Sequence, residues 1–509
     1  MNSRILSAQR RHPVRRLRAA LAIWRNARAR PSGERVYVIY LALMVALVAV
    51  APVARAIWVS MTSPEVVAAL TSATARQVAM FAVAALWAGA LFAGRDRGPA
   101  LRPPFLIHAF VTSDVRRSRV FRGPLLRSAG VVVATATVIG GLIAVSLASH
   151  GLVAPLHATV FIIASALIGI ITAMLWLAGQ ALPRTATFLA LGVLALGTVT
   201  ASVPTLVPFT PWGWFGLLYS GDGSLQALAG LWALTLALCA AAPTLLNRLR
   251  FAELSAQSLR WQSAMTHATG MDFASATTVY QLRPGIGRRI RAVRSAGRLP
   301  LTFLVRDAVG AVRTPGRLLT GILTLAAAGV LIAVASAPLA PGWMLGTLAG
   351  IIAFAGMGPL TDGIRHATSV ASDFALYGIG DERLLANHAL FPIAVAAVVL
   401  VGAAGACAVI MGISVLAPLV SSFAVGMLAI AARIATALKG ALPVALLTPM
   451  PTPMGDLGAA VRLAWALDGL LFAALAGVAA VVVFESPLLL AGVAVAVGGI
   501  GVSRWRHRR

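Results

Sequence analysis

The chain has 509 residues, of which 59% are hydrophobic and 11% are charged, and its net charge is +27. Soluble domains carry about 25% charged residues, so this composition excludes a large soluble core and predicts a polytopic helical membrane protein. The apolar runs are continuous rather than alternating, which favours membrane helices over a β-barrel. Arginines flanking membrane spans explain the positive charge, so no nucleic-acid partner is expected.

The first segment, residues 1–35, is a basic cytoplasmic arm with ten arginines and one acidic residue. Apolar residues recur at helical spacing between positions 14 and 28, with arginines around them. This pattern predicts an amphipathic helix that lies on a membrane surface. An apolar run follows the arm, and because more runs come after it, we interpret it as an uncleaved first span.

Apolar runs of about 20 residues, the length that crosses a bilayer, fill most of the remaining chain. They predict an all-α fold with about 12 transmembrane helices in two six-span halves, residues 36–250 and 318–509, joined by a polar connector, residues 251–317. The predicted spans are 37–59, 77–94, 129–149, 153–178, 185–207, 225–246, 318–339, 343–361, 390–411, 414–436, 461–483 and 486–503.

The distribution of arginine predicts the orientation of these spans. Twelve arginines lie between residues 247 and 317, eight lie between 95 and 127, and the chain ends in a basic cluster. Because arginines near spans resist translocation, we expect these segments and both termini on the cytoplasmic side. Forty-one arginines and one lysine are typical of a high-GC bacterium, so we expect the bacterial inner membrane. Residues 439–460, rich in proline, are assigned as a cytoplasmic loop.

The connector ends in a second predicted amphipathic helix, residues 301–313. Its apolar residues recur at helical spacing, and it carries Arg306, Asp307 and Arg313. Each half thus consists of an interfacial helix, two spans, a polar loop and four further spans. This order indicates an internal repeat, which is common in transporters.

The polar loop of each half carries candidate coupling residues. In the first half Asp114 is predicted to cap a short helix that carries Arg116, Arg117 and Arg119. The corresponding residues of the second half are Asp381 and Arg383. Two interpretations remain open for the arginines: docking on a protein partner, or anchoring to anionic inner-leaflet lipid.

Together, the interfacial helices and these loops resemble the permease subunits of ABC-2 type exporters, with two permease-like halves fused in one chain. The resemblance implies that a separate cytoplasmic ATPase subunit binds ATP and docks on the polar loops, and that this chain exports a substrate without being an enzyme. The loop of the second half departs from the pattern because it is acidic.

Other chemistry is not indicated by the sequence. No phosphate-binding glycine loop is present, and the eight histidines show no metal-ligand spacing, so no catalytic, cofactor-binding or metal-binding residues are predicted. Asp468 lies within a predicted span and is a candidate functional polar residue. It either pairs with an arginine such as Arg433 or carries ions. The ion-carrying interpretation predicts a secondary transporter of 6+6 spans, and a non-transporting membrane scaffold is a third possibility.

An aromatic segment, residues 211–215, precedes the sixth predicted span. Its two tryptophans and phenylalanine indicate either an aromatic belt at the outer membrane surface or a short re-entrant element.

Overall fold

The computed structural model describes residues 46–111, 115–219, 225–280, 298–338, 340–370, 378–440, 451–452 and 455–507, and isolated positions before residue 46, at 287 and between 442 and 448. Most of the predicted helix 14–28, and Asp114, lie outside the described residues. The chain divides within the connector into a first unit, residues 1–269 with 275–280, and a second unit, residues 270–274 with 281–509.

All regular secondary structure among the described residues of the first unit is helical. A π-helical turn, Ala46–Val50, leads into the first helix, and a 3₁₀ turn, Pro204–Phe209, precedes α8. The helices are α1 (Ala51–Met61), α2 (Pro64–Thr71), α3 (Ala73–Asp96), α4 (Pro104–Val111), α5 (Arg117–Ser149), α6 (Pro155–Ala181), α7 (Ala186–Ser202), α8 (Pro211–Tyr219), α9 (Leu225–Arg248) and α10 (Phe251–Thr269), followed by α11 (Phe273–Thr278) at the division between the units.

The second unit is also helical, apart from two-residue strands Pro451–Thr452 and Gly455–Asp456 that pair antiparallel. A 3₁₀ turn, Gly358–Leu360, follows its third helix, and a π-helical segment, Ala396–Val401, joins two others. The helices are α12 (Leu299–Val312), α13 (Pro315–Ala335), α14 (Gly342–Met357), α15 (Asp362–Val370), α16 (Asp381–Val395), α17 (Gly402–Met411), α18 (Leu416–Ala437), α19 (Leu457–Val481) and α20 (Pro487–Arg506).

Ten helical segments among the described residues are long and apolar enough to cross a membrane. They are Thr74–Asp96, Arg117–Ser149, Pro155–Ala181, Leu225–Arg248, Pro315–Ala335, Gly342–Leu360, Asp381–Met411, Leu416–Ala437, Ala460–Val481 and Pro487–Arg506. The chain is therefore an all-helical, multi-pass membrane protein. The helix Ala186–Ser202 is shorter than the predicted span 185–207, because Pro204 starts a 3₁₀ turn, and span 37–59 is described only in part.

The long helices of each unit pack in a similar order. In the first unit α6 packs against α3, α5 and α9, and α3 also packs against α7. In the second unit α18 packs against α17, α19 and α20, and α14 also packs against α18 and α19. In both units, then, the helix after the polar loop packs on the next long helix.

Small residues allow the closest helix crossing of the second unit. Gly346 and Gly350 of α14 face Gly477 of α19, and a methyl group at any of the three would overlap the backbone of the facing helix. Small residues four apart are a common way for membrane helices to approach closely.

The aromatic segment 211–215 forms the start of α8 and packs within the first unit. Trp212 is buried and its ring meets the ring of Trp87 edge to face, with centroids 6.3 Å apart. The indole N–H of Trp214 donates to the carbonyl of Pro208 at 2.7 Å. These contacts attach α8 to α3 and to the 3₁₀ turn before it.

Candidate functional site

The arginines of the predicted coupling segment lie at the start of α5. Asp114 is outside the described residues, Arg116 directly precedes the helix, and Arg117 and Arg119 lie in its first turn. The short separate helix expected here is instead the beginning of a 33-residue helix, because Pro124 does not end it. Arg116 and Arg119 are exposed and Arg117 is half-buried.

Pro124 removes one hydrogen bond from α5. Proline has no N–H, so the carbonyl of Val120, four residues earlier, lacks its usual helical partner. Arg102 replaces that partner: its Nε and Nη2 atoms donate to the Val120 carbonyl at 3.0 and 2.7 Å. The loop between α3 and α5 is therefore bonded directly to the helix that follows it.

Two buried glutamines hold the same loop from the other side. Gln180, near the end of α6, accepts from the backbone N–H of Ala100 at 3.1 Å and donates to Gln257 Oε1 at 2.9 Å. Gln257, on α10, donates to the carbonyl of Arg95 at 2.9 Å. Both side chains are 2% exposed. Because buried polar groups are costly when unpaired, this network fixes the loop against α6 and α10.

In the second unit the predicted interfacial helix is α12, and it is bonded to the helix after the polar loop. Asp307 of α12 lies with its Oδ2 atom 2.6 Å from Nδ1 of His388 on α16. The His388 side chain is fully buried and that of Asp307 is 10% exposed. A carboxylate this close to Nδ1 accepts its hydrogen, so Nδ1 carries a proton.

The short helix α15 completes this contact. Gly363 of α15 lies so close that a methyl group there would overlap both Asp307 and His388. Phe303 of α12 meets the His388 ring edge to face at 4.9 Å, and with Ala367 and Leu384 it forms a small apolar cluster. Helices α12, α15 and α16 thus form one packed group.

A cavity of about 250 Å³ lies between these three helices. Its polar lining consists of Arg306, Asp307, Arg313, Asp362, His366 and His388. Burial, and then the nearby Arg306 guanidinium, lower the pKa of His366. The predicted residues Arg306, Asp307 and Arg313 are therefore brought together with two histidines.

The acidic residues Asp362 and Asp381 of the second loop lie at the starts of two different helices, α15 and α16. Asp381 and Arg383 lie in the first turn of α16, where Asp381 is half-buried and Arg383 is exposed. A carboxylate in a first turn is favoured by the helix dipole. Asp362, at the start of α15, accepts from Arg317 Nη1 at 2.8 Å and also pairs with Arg365.

Asp468 has two cationic partners, and Arg433 is not one of them. Lys439 Nζ lies 2.8 Å from Asp468 Oδ1, and Arg504 donates to Oδ2. Arg433 instead donates to the carbonyl of Phe354 and lies over its ring at 3.8 Å. Burial lowers the pKa of Lys439, and Asp468 opposes that shift. The side chain of Asp468 is 13% exposed.

Sequence reasoning did not single out Gln180, Gln257 or His388. Their partners lie 77 to 163 residues away in the chain, and no spacing rule connects positions so distant. A signal was present for Gln180, an amide at the end of an otherwise apolar run.

These features define a multi-pass helical membrane protein in which a polar loop of each unit is attached to neighbouring helices by buried side chains. Comparison with protein-family models, with curated proteins and with solved structures finds no match.

Proposed function

We propose that this chain is the transmembrane subunit of an ABC-2 type exporter in a bacterial inner membrane, and that a separate ATPase subunit drives it. The observation that carries the proposal is the attachment of the polar loop in each unit. A partner that docks on a loop moves the helices behind it only if the loop is firmly joined to them.

Both loops meet this requirement. In the first unit Arg102 joins the loop to α5, and Gln257 joins it to α10. In the second unit the Asp307–His388 pair joins α12 to α16, with α15 packed against the pair. The exposed Arg116 and Arg119 adjoin the first loop and provide a basic surface for an acidic groove on an ATPase.

The proposal includes twelve spans with both termini in the cytoplasm. The ten long apolar helices, together with Ala186–Ser202 and the predicted span 37–59, make up this number. Placing the arginine-rich loops and the connector in the cytoplasm follows the rule that arginines near spans resist translocation.

A secondary transporter is the second candidate. Ion coupling requires an ionisable group that gains and loses its ion, and Asp468 is engaged by Lys439 and Arg504, which favours the exporter. The Asp307–His388 pair is the observation that keeps the second candidate, since paired carboxylates and histidines also occur in the ion pathways of transporters.

The test is co-purification of an ATPase from native membranes in mild detergent. The wild type is expected to retain an ATPase in fixed stoichiometry, and the double variant Arg116→Glu with Arg119→Glu is expected to lose it. Reversing charges at a docked surface weakens binding by about 2–5 kcal/mol, whereas diffuse attraction to lipid is worth about 1 kcal/mol per arginine.

The matched control is Arg298→Glu with Arg506→Glu, which reverses two exposed arginines of the second unit outside the predicted coupling segments. It should retain the ATPase. Equal loss in both double variants would indicate general electrostatic attraction. If no ATPase accompanies the wild type, the exporter proposal fails and the secondary transporter takes its place.

A further inference from the structure

A cavity of about 740 Å³ lies at the polar loop of the first unit, beside Pro124 of α5. Its walls come from the loop after α3, the start of α4, the part of α5 between residues 123 and 128, Trp261 of α10 and the arm residue Leu21. The guanidinium carbon of Arg97 lies 3.4 Å from the centroid of the Trp261 ring. Because both residues line the cavity, this stacking holds the Arg97 guanidinium at the cavity wall.

The charged residues that line this cavity are all positive. They are Arg97, Arg102 and Arg127, and no acidic residue in the described part of the chain lines it. The ion pairs among the described residues involve neither Arg97 nor Arg127. Asp96, the carboxylate next to Arg97 in the chain, pairs with Arg260 at 3.8 Å. A concave surface lined by charges of one sign attracts ligands of the opposite sign, so this cavity favours an anion.

The face of α5 that lines the cavity continues as an exposed apolar face. Residues three or four apart lie on the same face of a helix, so Val131 and Val138 continue the face that carries Arg127. Val131 and Val138 are 68% and 60% exposed, and both lie in the apolar helix Arg117–Ser149. In a membrane this face contacts acyl chains, so the cavity arginines lie at the end of a lipid-facing stripe.

We propose that the cavity binds an anionic phospholipid, whose phosphate pairs with Arg97 and Arg127 and whose acyl chains lie along Val131 and Val138. Basic pockets beside membrane helices recognise anionic lipid head groups in this way. A guanidinium forms charge-assisted hydrogen bonds with phosphate oxygens and keeps its charge at physiological pH. The proposal is independent of the exporter assignment, because it requires only that α5 cross a membrane.

A lipid matches this cavity, whereas the chain's own arm and a soluble anion each match only part of it. The arm carries ten arginines and one acidic residue between positions 1 and 35, so it adds positive charge to a positive cavity. A soluble anion neutralises the arginines but leaves the apolar stripe of α5 unused. An anionic phospholipid supplies both the negative charge and the apolar chains.

The experiment titrates the full chain in a non-ionic detergent with three probes and follows the rise in melting temperature. The probes are dioctanoyl phosphatidylglycerol, dioctanoyl phosphatidylcholine and glycerophosphoglycerol, which is the first head group without its chains. Phosphatidylglycerol is expected to bind at least about tenfold more tightly than either other probe, the ratio that follows from one charge-assisted hydrogen bond. The choline cation of phosphatidylcholine places a further positive charge beside the arginines. Equal binding of phosphatidylcholine overturns the anionic site, and equal binding of glycerophosphoglycerol overturns the lipid in favour of a soluble anion.

Paired variants locate the site. Arg97→Gln with Arg127→Gln removes two cavity arginines and should weaken phosphatidylglycerol binding about tenfold or more. Arg248→Gln with Arg250→Gln removes the same charge from two exposed positions of the first unit outside the cavity. This control should weaken binding less than about threefold, because salt screens exposed charges. Equal weakening in both double variants overturns the proposal, since attraction would then be diffuse.

A further variant keeps every arginine and blocks the cavity. Gly123 lines the cavity, and beyond its own helix a methyl group there would meet only Arg102 Nη2, at 3.8 Å. Gly123→Phe therefore places a ring in the cavity, and replacing a glycine inside a helix does not lower helix propensity. It should weaken phosphatidylglycerol binding about fivefold or more. Gly141→Phe, about five turns further along α5 and in open space, should leave binding unchanged. Unchanged binding in Gly123→Phe overturns the proposal.

Discussion

The polar loops of the two units are attached by different chemistry. In the first unit the contacts are neutral amides, Gln180 and Gln257, bonded to each other and to the loop backbone. In the second unit the contact is an ionisable pair, Asp307 and His388. Breaking a hydrogen bond between neutral amides leaves uncharged groups unpaired, whereas breaking a buried ion pair leaves an uncompensated charge. We therefore expect the loss of one partner to cost more in the second unit than in the first.

The largest loss of stability is expected for the substitution His388→Leu. It leaves the Asp307 carboxylate, 10% exposed, without its partner, and breaking a buried pair in this way costs about 3–5 kcal/mol. The apparent free energy of unfolding in mixed micelles of dodecyl maltoside and dodecyl sulfate measures the loss. The control is His366→Leu, a half-buried ring 6.4 Å from His388, with an expected loss below about 1 kcal/mol. Similar losses in the two variants would contradict the assigned role of the pair.

A smaller effect is expected for Asp468→Asn, about 2 kcal/mol, because Lys439 and Arg504 keep a weaker neutral acceptor. Without the carboxylate the pKa of Lys439 falls further below its usual value, so the unfolded chain binds more protons than the folded chain. Stability then rises with pH, and the deficit should shrink between neutral pH and the ordinary lysine pKa of about 10.4. Melting curves across that range check the sign.

The same substitution distinguishes the two candidate functions. If Asp468 is only a structural partner of Lys439 and Arg504, transport activity per folded molecule stays near normal in Asp468→Asn. Loss of transport at unchanged melting temperature would favour the secondary transporter.

In the first unit Gln257→Leu should cost about 1–3 kcal/mol, because the carbonyl of Arg95 and the N–H of Gly98 lose their partners. The loss should be the same at neutral and at mildly acidic pH, because the amide groups involved are uncharged. Gln262→Leu, an exposed glutamine on the same helix, is the control. A pH-dependent loss in Gln257→Leu would remove the contrast between the units.

The smallest effect is expected for Asp362→Asn in the second unit. Asp362 is 46% exposed in its pairs with Arg317 and Arg365, and exposed pairs contribute about 0–1 kcal/mol. The difference from wild type should vanish in high salt, since salt screens exposed charges. A loss that persists in high salt would show that Asp362 belongs to the buried group around His388.

The long helices were predictable because apolar runs of bilayer length have few alternatives to helix in a membrane. The predicted span 153–178 lies within Pro155–Ala181 except for two residues, and the helix predicted at 301–313 is observed as Leu299–Val312. Helices extend beyond the predicted spans where polar residues also favour helix. The helix after the second loop begins at Asp381, before the predicted span 390–411, because charged residues are favourable in a first turn.

The candidate site was only partly predictable. Arg306, Asp307 and Arg313 were identified because they lie on one amphipathic helix. Their partner His388 was not, since the contact between α12 and α16 depends on tertiary packing that no periodicity encodes. Likewise, Asp468 was recognised as unusual, but the choice of Lys439 and Arg504 over Arg433 depends on where α18, α19 and α20 meet.

Pro124 and Pro392 lie inside the helix that follows each loop, and each removes one backbone hydrogen bond from that helix. The carbonyl of Val120 is bonded to Arg102 instead of to the next turn, so α5 has one backbone hydrogen bond fewer at this point. In α16 the proline is Pro392, and the carbonyl it leaves without a helical N–H belongs to His388. If a partner displaces either loop, we expect the helix behind it to bend at its proline, and in the second unit this position lies one turn from His388, which pairs with Asp307.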